Sequence, residues 1–182
     1  MPRIEPLTVE TASPEGAEIL SAIKGKIGMV PNIYAAMAHA PAALGAKLAF
    51  DEAFAKSSLS ASVKEQLALA IAGANSCDYC ASAHSAIGKG AGLDDAQISE
   101  SLAGNASDPK VQALISLARN IVETRGNLSD DQLSEARSAG VSDTEIVEVI
   151  AIVAINIFTN YFNHIADPAI DFPVVRTQEV SA

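Results

Sequence analysis

Apolar residues recur along the chain at the spacing of amphipathic helices, and no stretch shows the sustained alternation of a β-strand. Proline near helix starts and glycine after helix ends mark most of the boundaries. Only residues 174–175 form a β-like fragment, and it is weak. The pattern therefore predicts a chain that is helical throughout. The expected helices cover about 14–27, 32–38, 41–56 and 60–73, the segment from the cysteine pair to 90, and 109–126, with further helices that open near 93, 130 and 143.

Length and composition indicate how many domains the helices form and how closely they pack. The 182 residues suffice for one well-packed core, and no linker or low-complexity segment divides them. About half of the residues (49%) are hydrophobic, but tryptophan is absent and alanine dominates, which suits closely packed helices. We therefore expect one all-α domain over residues 1–182, with a central part at about 59–105 and a C-terminal helical part at about 108–166.

Charge and hydropathy narrow the possible partners and the compartment. The chain has 12 basic and 22 acidic side chains, and a net charge of −10 disfavours nucleic acids and anionic membranes. The N-terminal residues lack the apolar core of a signal peptide. The most hydrophobic stretch, at about 146–158, reads as a buried helix that is too short and too polar to span a bilayer. We expect a cytoplasmic protein that binds neither nucleic acid nor membrane.

The two cysteines carry the candidate chemistry. Cys77 and Cys80 stand three positions apart at the predicted start of a helix, where unpaired N–H groups and the helix dipole favour a thiolate. His84 follows one helical turn after Cys80, and the three side chains fall within roughly 60° on one helix face. An imidazole in that place can take a proton from a thiol or stabilise its thiolate. This spacing predicts a redox-active pair.

The same cysteine pair also allows three roles that need no redox chemistry. A structural zinc site needs four ligands, and this chain has one cysteine pair with two distant histidines. A purely structural disulfide over so short a loop would constrain the unfolded chain very little. Inert buried thiols are the stronger alternative, because cysteine often behaves as a small hydrophobe. No metal and no cofactor are expected.

Glu65 precedes Cys77 by twelve positions, on the helix that leads to the cysteines. A return of the chain could bring its carboxylate to His84 or to a water near the thiols. A capping box over 62–65, in which Glu65 reaches back to the start of its own helix, is the simpler alternative from the residues alone.

Glu65, Cys77-x-x-Cys80 and His84 at these spacings resemble the signature of the alkylhydroperoxidase AhpD-like family, within the carboxymuconolactone decarboxylase-like superfamily. The resemblance covers most of the chain and is closest to the peroxidase-related branch. The flanking segments that share it are 28–34 with Pro41, 160–164 and 171–173.

This resemblance implies an all-helical AhpD-like fold that assembles into trimers or hexamers. It implies an antioxidant enzyme, a thiol-dependent peroxidase recycled by a dithiol or lipoyl-type electron donor. Cys80 would attack the peroxide, Cys77 would resolve the sulfenic acid, and His84 with Glu65 would relay protons. A general thiol–disulfide oxidoreductase or redox sensor, and a non-catalytic helical assembly protein with incidental thiols, remain alternatives.

Three residues near these motifs complicate the prediction. Tyr79 stands where some well-characterised members carry a second histidine, and a tyrosine is a poor base near neutral pH, so the relay would be shorter or slower. Asn160 and His164, four positions apart, share one helix face. They either approach the site or satisfy each other in a polar core, and for His164 a place in the core or at an interface is favoured.

Overall fold

The computed structural model describes residues 1–180, with side chains described through 178, and every regular element in this range is helical. The all-α prediction is confirmed, and the β-like fragment at 174–175 forms no strand. Most predicted boundaries lie within two residues of the observed ones. The helices are α1 (Pro14–Ile27), α2 (Asn32–Met37), α3 (Pro41–Phe54), α4 (Ala61–Ala74), α5 (Asp78–Gly90), α6 (Asp95–Ala103), α7 (Pro109–Thr124), α8 (Asp130–Ser138) and α9 (Asp143–Ala166), followed by a 3-10 turn at Thr177–Val180.

The helices group into two compact units. The first contains residues 1–56 and 161–171, in which α3 packs against α1 and α2. Its core includes Leu20 and Leu44, both fully buried. The N-terminal segment is attached through the backbone, since the N–H groups of Arg3 and Ile4 donate to the Ala166 carbonyl at 2.8 and 3.1 Å. The interpretation of the chain as one domain stays a prediction.

The second unit contains residues 57–160 and 172–182 and is built around α4. This helix packs against α5, α6 and α7, and its residues from Gln66 to Ala72 are all buried. Gly73 allows the close approach of α6, because a Cβ placed there would lie 2.1 Å from the Leu102 carbonyl oxygen. A helix buried on all sides holds the elements around it with little freedom to shift.

Side-chain caps set helix starts in this unit. Ser60, Asp94, Asp108 and Ser129 each accept a hydrogen bond from a backbone N–H of the first turn. At α6 and α8 the N3 glutamine completes a capping box. These caps satisfy N–H groups that have no partner within the helix and contribute about 1 kcal/mol each.

The last helix is longer than the sequence suggested. The apolar stretch was expected at about 146–158 and too short to span a bilayer, but α9 runs over 24 residues from Asp143 to Ala166. Among the described residues it is the one helix whose length and apolar composition would allow a membrane crossing, a criterion that core helices of water-soluble proteins also meet. Polar Asn156 and Asn160 are buried along it.

Candidate functional site

The turn between α4 and α5 delivers the cysteine pair. Ser76 takes the left-handed conformation, with φ of 54°. The N–H of Cys77 returns to the Ala72 carbonyl at 2.9 Å, and that of Ser76 to the Gly73 carbonyl at 3.1 Å. This pattern closes the C-terminus of α4 and reverses the chain into α5 within three residues. A side-chain-bearing residue at positive φ is a strained choice where glycine is usual.

Cys77 is the N-cap of α5, and Cys80 lies in its first turn. The two are joined by a disulfide, and both are buried, with 1% and 4% of their surface exposed. The Sγ of Cys77 accepts the N–H of Cys80 at 3.3 Å. The pair thus sits at a helix N-terminus, as the spacing predicts, and the dipole there favours negative charge on sulfur.

Glu65 and His84 form a close pair across α4 and α5. The Nδ1 of His84 lies 2.7 Å from Oε2 of Glu65, and both side chains are largely buried. A carboxylate on one ring nitrogen fixes the orientation of the ring and leaves the other nitrogen to exchange protons. The capping-box interpretation of Glu65 is wrong, because the N-cap of α4 is Ser60, whose Oγ accepts from the Val63 N–H. Glu65 therefore lies inside the helix and faces α5.

Asn160 brings a second polar group to the sulfurs. It is fully buried on α9, and its Nδ2 donates to the Sγ of Cys80 at 3.0 Å. Its Oδ1 accepts from Nδ2 of Asn75, at the C-terminal cap of α4, at 2.8 Å. Of the two alternatives that the sequence leaves open for Asn160, the structure shows the approach to the site, whereas His164 is exposed. The separation of 80 positions between Asn160 and Cys80 left no local signal of the contact.

The segment after Phe172 is held on the first turn of α5 through Asp78. The Asp78 carboxylate accepts the Thr177 N–H and hydroxyl, both at 2.9 Å, and the Arg176 guanidinium at 2.8 Å. Burial acts to raise the pKa of this carboxyl, but the hydrogen bonds from Thr177 and Arg176 outweigh it and hold the pKa below its ordinary value. Asp78 is therefore ionised at neutral pH.

Two further contacts join the same segment to α5. The Oγ of Ser82 accepts the Val175 N–H at 2.9 Å and donates to the Asp78 carbonyl at 2.7 Å. Tyr79 is buried, with its ring edge-on to that of Phe172 at a centroid distance of 6.1 Å.

The assembled groups suit two-electron thiol chemistry. A cysteine pair can cycle between disulfide and dithiol, while a carboxylate–imidazole pair can accept and return the proton. Among the side chains that the structure describes, through residue 178, no group of three or more His, Cys, Asp or Glu is placed to hold a metal ion.

Comparisons with known proteins agree with this fold. The model of the carboxymuconolactone decarboxylase family matches residues 35–124, whereas no curated protein sequence matches. A peroxidase-related protein with an alkylhydroperoxidase AhpD core, from Ralstonia eutropha JMP134, superposes with a TM-score of 0.81 at 19% identity, over 99% of this chain and 94% of its own.

Two more solved structures are similar. A peroxidase-related protein from Silicibacter sp. TM1040 has a TM-score of 0.79 and 21% identity, over 93% of this chain and 94% of its own. The debrominase Bmp8 has a TM-score of 0.76 and 20% identity, over 98% of this chain and 96% of its own. The family match and the shared all-helical architecture lead to one conclusion: the chain belongs to the carboxymuconolactone decarboxylase-like superfamily and has the AhpD-like fold.

Proposed function

We propose that this protein is a thiol-dependent peroxidase that reduces organic hydroperoxides through Cys77 and Cys80. The observation that carries the proposal is the Cys77–Cys80 disulfide at the N-terminus of α5, beside the Glu65–His84 pair. A family that includes AhpD-like proteins supports it. A pair that is already bonded, in a folded chain, is suited to close and reopen in each cycle.

In the oxidative half of the cycle, the Cys80 thiolate attacks one oxygen of the hydroperoxide. The O–O bond breaks, Cys80 becomes a sulfenic acid, and the alkoxide takes a proton from His84 and leaves as the alcohol. The Cys77 thiol then passes its proton to His84, and its sulfur attacks Cys80. The S–O bond breaks, the disulfide forms, and the leaving hydroxide takes the proton back from His84 and departs as water.

In the reductive half, a dithiol donor supplies two electrons. One donor thiolate attacks Cys77, and the electron pair of the S–S bond goes to Cys80. The second donor thiol attacks the mixed disulfide, which frees Cys77 and oxidises the donor. The sum is one hydroperoxide and one dithiol converted to one alcohol, one water and one disulfide. The donor class that we propose is a dithiol of the lipoyl type, and the reducing cytoplasm suits its regeneration.

Glu65 and His84 serve this cycle as a proton relay in the proposal. The Glu65 carboxylate on Nδ1 leaves Nε2 of His84 to exchange protons. His84 lies one turn after Cys80 on α5, so the imidazole and the attacking sulfur are carried by the same helix. Tyr79 is packed against Phe172, so the relay would rest on Glu65 and His84 without a second imidazole.

General thiol–disulfide exchange is the second candidate function. The Cys80 N–H donates to the Sγ of Cys77, so the start of α5 stabilises charge on Cys77 as well. A reactive Cys77 thiolate would favour exchange with protein or small-molecule disulfides. This candidate predicts easy disulfide exchange without special reactivity towards peroxide.

A homo-oligomer, a trimer or a hexamer, also belongs to the proposal. Apolar side chains on the part of α9 within the second unit face solvent, among them Val147, Ile150 and Phe158. Exposed apolar rows of this kind are typical of protein interfaces. The mass of the native protein in solution, measured by light scattering, tests this directly, and a monomer would contradict it.

The proposed peroxidase activity is tested by adding one equivalent of an alkyl hydroperoxide to the reduced protein, followed by mass spectrometry with a sulfenic-acid trap. Wild type should form the disulfide rapidly, and Cys77→Ser should retain a trapped sulfenic acid at Cys80. Cys80→Ser is the matched control and should keep a free Cys77. Free thiols in all three samples, with wild type still oxidised by small disulfides, would contradict the peroxidase proposal and favour exchange.

A further inference from the structure

The amide of Asn160 is the most deeply buried polar side chain at the sulfurs. It has no solvent exposure, and both of its polar atoms are engaged, Oδ1 by Asn75 and Nδ2 by Cys80. Burial of an amide disfavours folding unless its hydrogen bonds are recovered. An apolar side chain of similar size would avoid that penalty, so the position calls for an explanation in terms of what the amide contacts.

Asn75 determines which end of the Asn160 amide meets the sulfur. Its Nδ2 donates to Oδ1 of Asn160 at 2.8 Å, and an amide oxygen engaged in this way leaves the NH₂ group to face Cys80. The contact of 3.0 Å between Nδ2 and Sγ is therefore a donor aimed at sulfur. Asn75 closes α4 and Asn160 lies on α9, so two helices hold the donor in place.

The charge state of the sulfur decides how much this donor contributes. A disulfide sulfur is a weak acceptor, whereas a thiolate accepts a charge-assisted hydrogen bond that is roughly twice as strong as a neutral one. The Asn160 donor therefore gains most when Cys80 is ionised. Cys77 receives a different donor, the backbone N–H of Cys80 at the start of α5. Each sulfur thus has its own source of stabilisation.

We propose that Asn160, oriented by Asn75, stabilises the Cys80 thiolate and thereby makes Cys80 the sulfur that attacks peroxide. Asn160 is then a catalytic residue, since it touches the reacting sulfur, and Asn75 is a positioning residue. The inference rests on the proposed function in assigning the attack to Cys80. In the reductive half, the same donor stabilises Cys80 as the leaving thiolate when the S–S bond breaks.

The test measures alkylation of Cys80 by iodoacetamide as a function of pH, in the Cys77→Ser background. Replacing Asn160 with alanine should move the reactivity curve to higher pH and slow alkylation at pH 7 about tenfold. At a pH above the pKa of the thiol the rate should not fall, because the fully ionised thiolate no longer depends on the donor. Loss of packing alone would not produce this pH dependence.

Two further variants keep the test decisive. Asn75→Ala leaves the Asn160 amide in place but unoriented, and should shift the curve in the same direction by a smaller amount. It also decides the question if Asn160→Ala does not fold. Asn156→Ala is the matched control, because Asn156 is a buried amide one turn earlier on α9 that donates to the Ile152 carbonyl at 2.9 Å. It should leave the Cys80 curve unchanged.

Equal curves for wild type, Asn160→Ala and Asn75→Ala would overturn the inference, as would an equal shift in Asn156→Ala. Alkylation uses no peroxide, so its result is separate from that of the peroxidase test. A shifted curve with no reaction towards hydroperoxide would support the donor and reject the peroxidase. Rapid oxidation of Cys80 by hydroperoxide with an unchanged curve would do the reverse.

Discussion

Two polar clusters, one in each unit, differ in what their hydrogen bonds accomplish. In the first unit the Lys47 ammonium donates to the Tyr34 hydroxyl at 3.0 Å and pairs with the Asp51 carboxylate. In the second unit the neutral amides of Asn75 and Asn160 end on a sulfur. In the first cluster the charge of Lys47 is already balanced by a carboxylate. In the second, the hydrogen bond to Cys80 reaches its full strength only when the sulfur is a thiolate.

The pKa of Lys47 illustrates the first kind of cluster. Burial acts to lower it, but electrostatic attraction to Tyr34 and Asp51 outweighs burial and raises the pKa above its ordinary value. Lys47 thus stays charged through the neutral range, and its partners are matched to that one state. A cluster that favours one charge state stabilises the fold. A hydrogen-bond donor that points at a group whose charge changes can instead take part in a reaction.

The largest predicted effect is a loss of peroxidase turnover when a group beside the sulfurs, Glu65, is changed. Replacing Glu65 with glutamine should lower the peroxidase rate by about 10²-fold, because an amide does not supply the carboxylate that contacts Nδ1 of His84 and orients the ring for proton transfer. Glu148→Gln is the control, since Glu148 also accepts two hydrogen bonds, from Ser58 at 2.7 and 2.6 Å, but has no role in the proposal. Steady-state peroxide consumption measures both variants. Equal rates for Glu65→Gln and wild type would contradict the proposed role of Glu65 in proton transfer.

A substitution that disturbs the packing of α4 should destabilise the fold that holds the sulfur cluster. In Gly73→Ala, the added methyl would meet the Leu102 carbonyl oxygen at 2.1 Å, which α4 and α6 can relieve only by separating. We expect unfolding to become easier by about 1–3 kcal/mol, as for overpacked cores. Chemical denaturation measures the change. Gly45→Ala, where no atom lies within 4 Å of the new Cβ, is the control and should not destabilise the protein.

Acid should release the C-terminal segment from α5. The pKa of Asp78 is lowered in the folded state, so its contribution to stability is present above the unfolded value of 3.8 and is lost as pH falls through the folded pKa. Asp78→Ala should remove that contribution at neutral pH, about 1–2 kcal/mol for hydrogen bonds to a charged group. Hydrogen exchange at the Thr177 amide, followed against pH, measures it. An exchange rate in Asp78→Ala equal to that of wild type at neutral pH would contradict this.

The smallest effect concerns the charge cluster itself. Asp51→Ala leaves Lys47, with 12% of its side chain exposed, without its carboxylate, whereas Lys47→Met removes the charge and keeps much of the packing. We expect Asp51→Ala to be the more destabilising of the two, by about 1 kcal/mol or less, because Asp51 is partly exposed. Neither change should alter turnover. A loss of peroxidase activity in either variant would contradict the contrast between the two clusters.

Local signals account for what could be predicted. Prolines, glycines and capping side chains placed the helices, and the cysteine spacing placed the pair at the start of α5. The capping-box interpretation of Glu65 failed for a local reason too, because Ser60 and Ser62 are both plausible caps and Ser60 is the one used. The residues alone raised Glu65 as a possible partner of His84 but favoured the cap, and the family resemblance reversed that preference.

Contacts between distant segments could not be predicted. Four positions place Asn160 and His164 on one helix face, which left open whether they approach the site or satisfy each other; the packing of α9 buries Asn160 on the sulfur of Cys80 and leaves His164 exposed. The segment at 174–175 appeared β-like, and its backbone instead donates from Val175 to the hydroxyl of Ser82. Such contacts depend on which helix faces pack together when the chain folds, and this is not encoded by residues close in sequence.

The sequence by itself determined the helices, their caps and the proximity of Cys77 to Cys80, because each of these depends on residues within about one helical turn. Tertiary structure alone decided that Glu65 meets His84, that Asn160 donates to Cys80 and that Asp78 holds the C-terminal segment. These pairs lie 19, 80 and 99 positions apart. Their geometry follows from the burial of α4 among its neighbours, which no local pattern encodes.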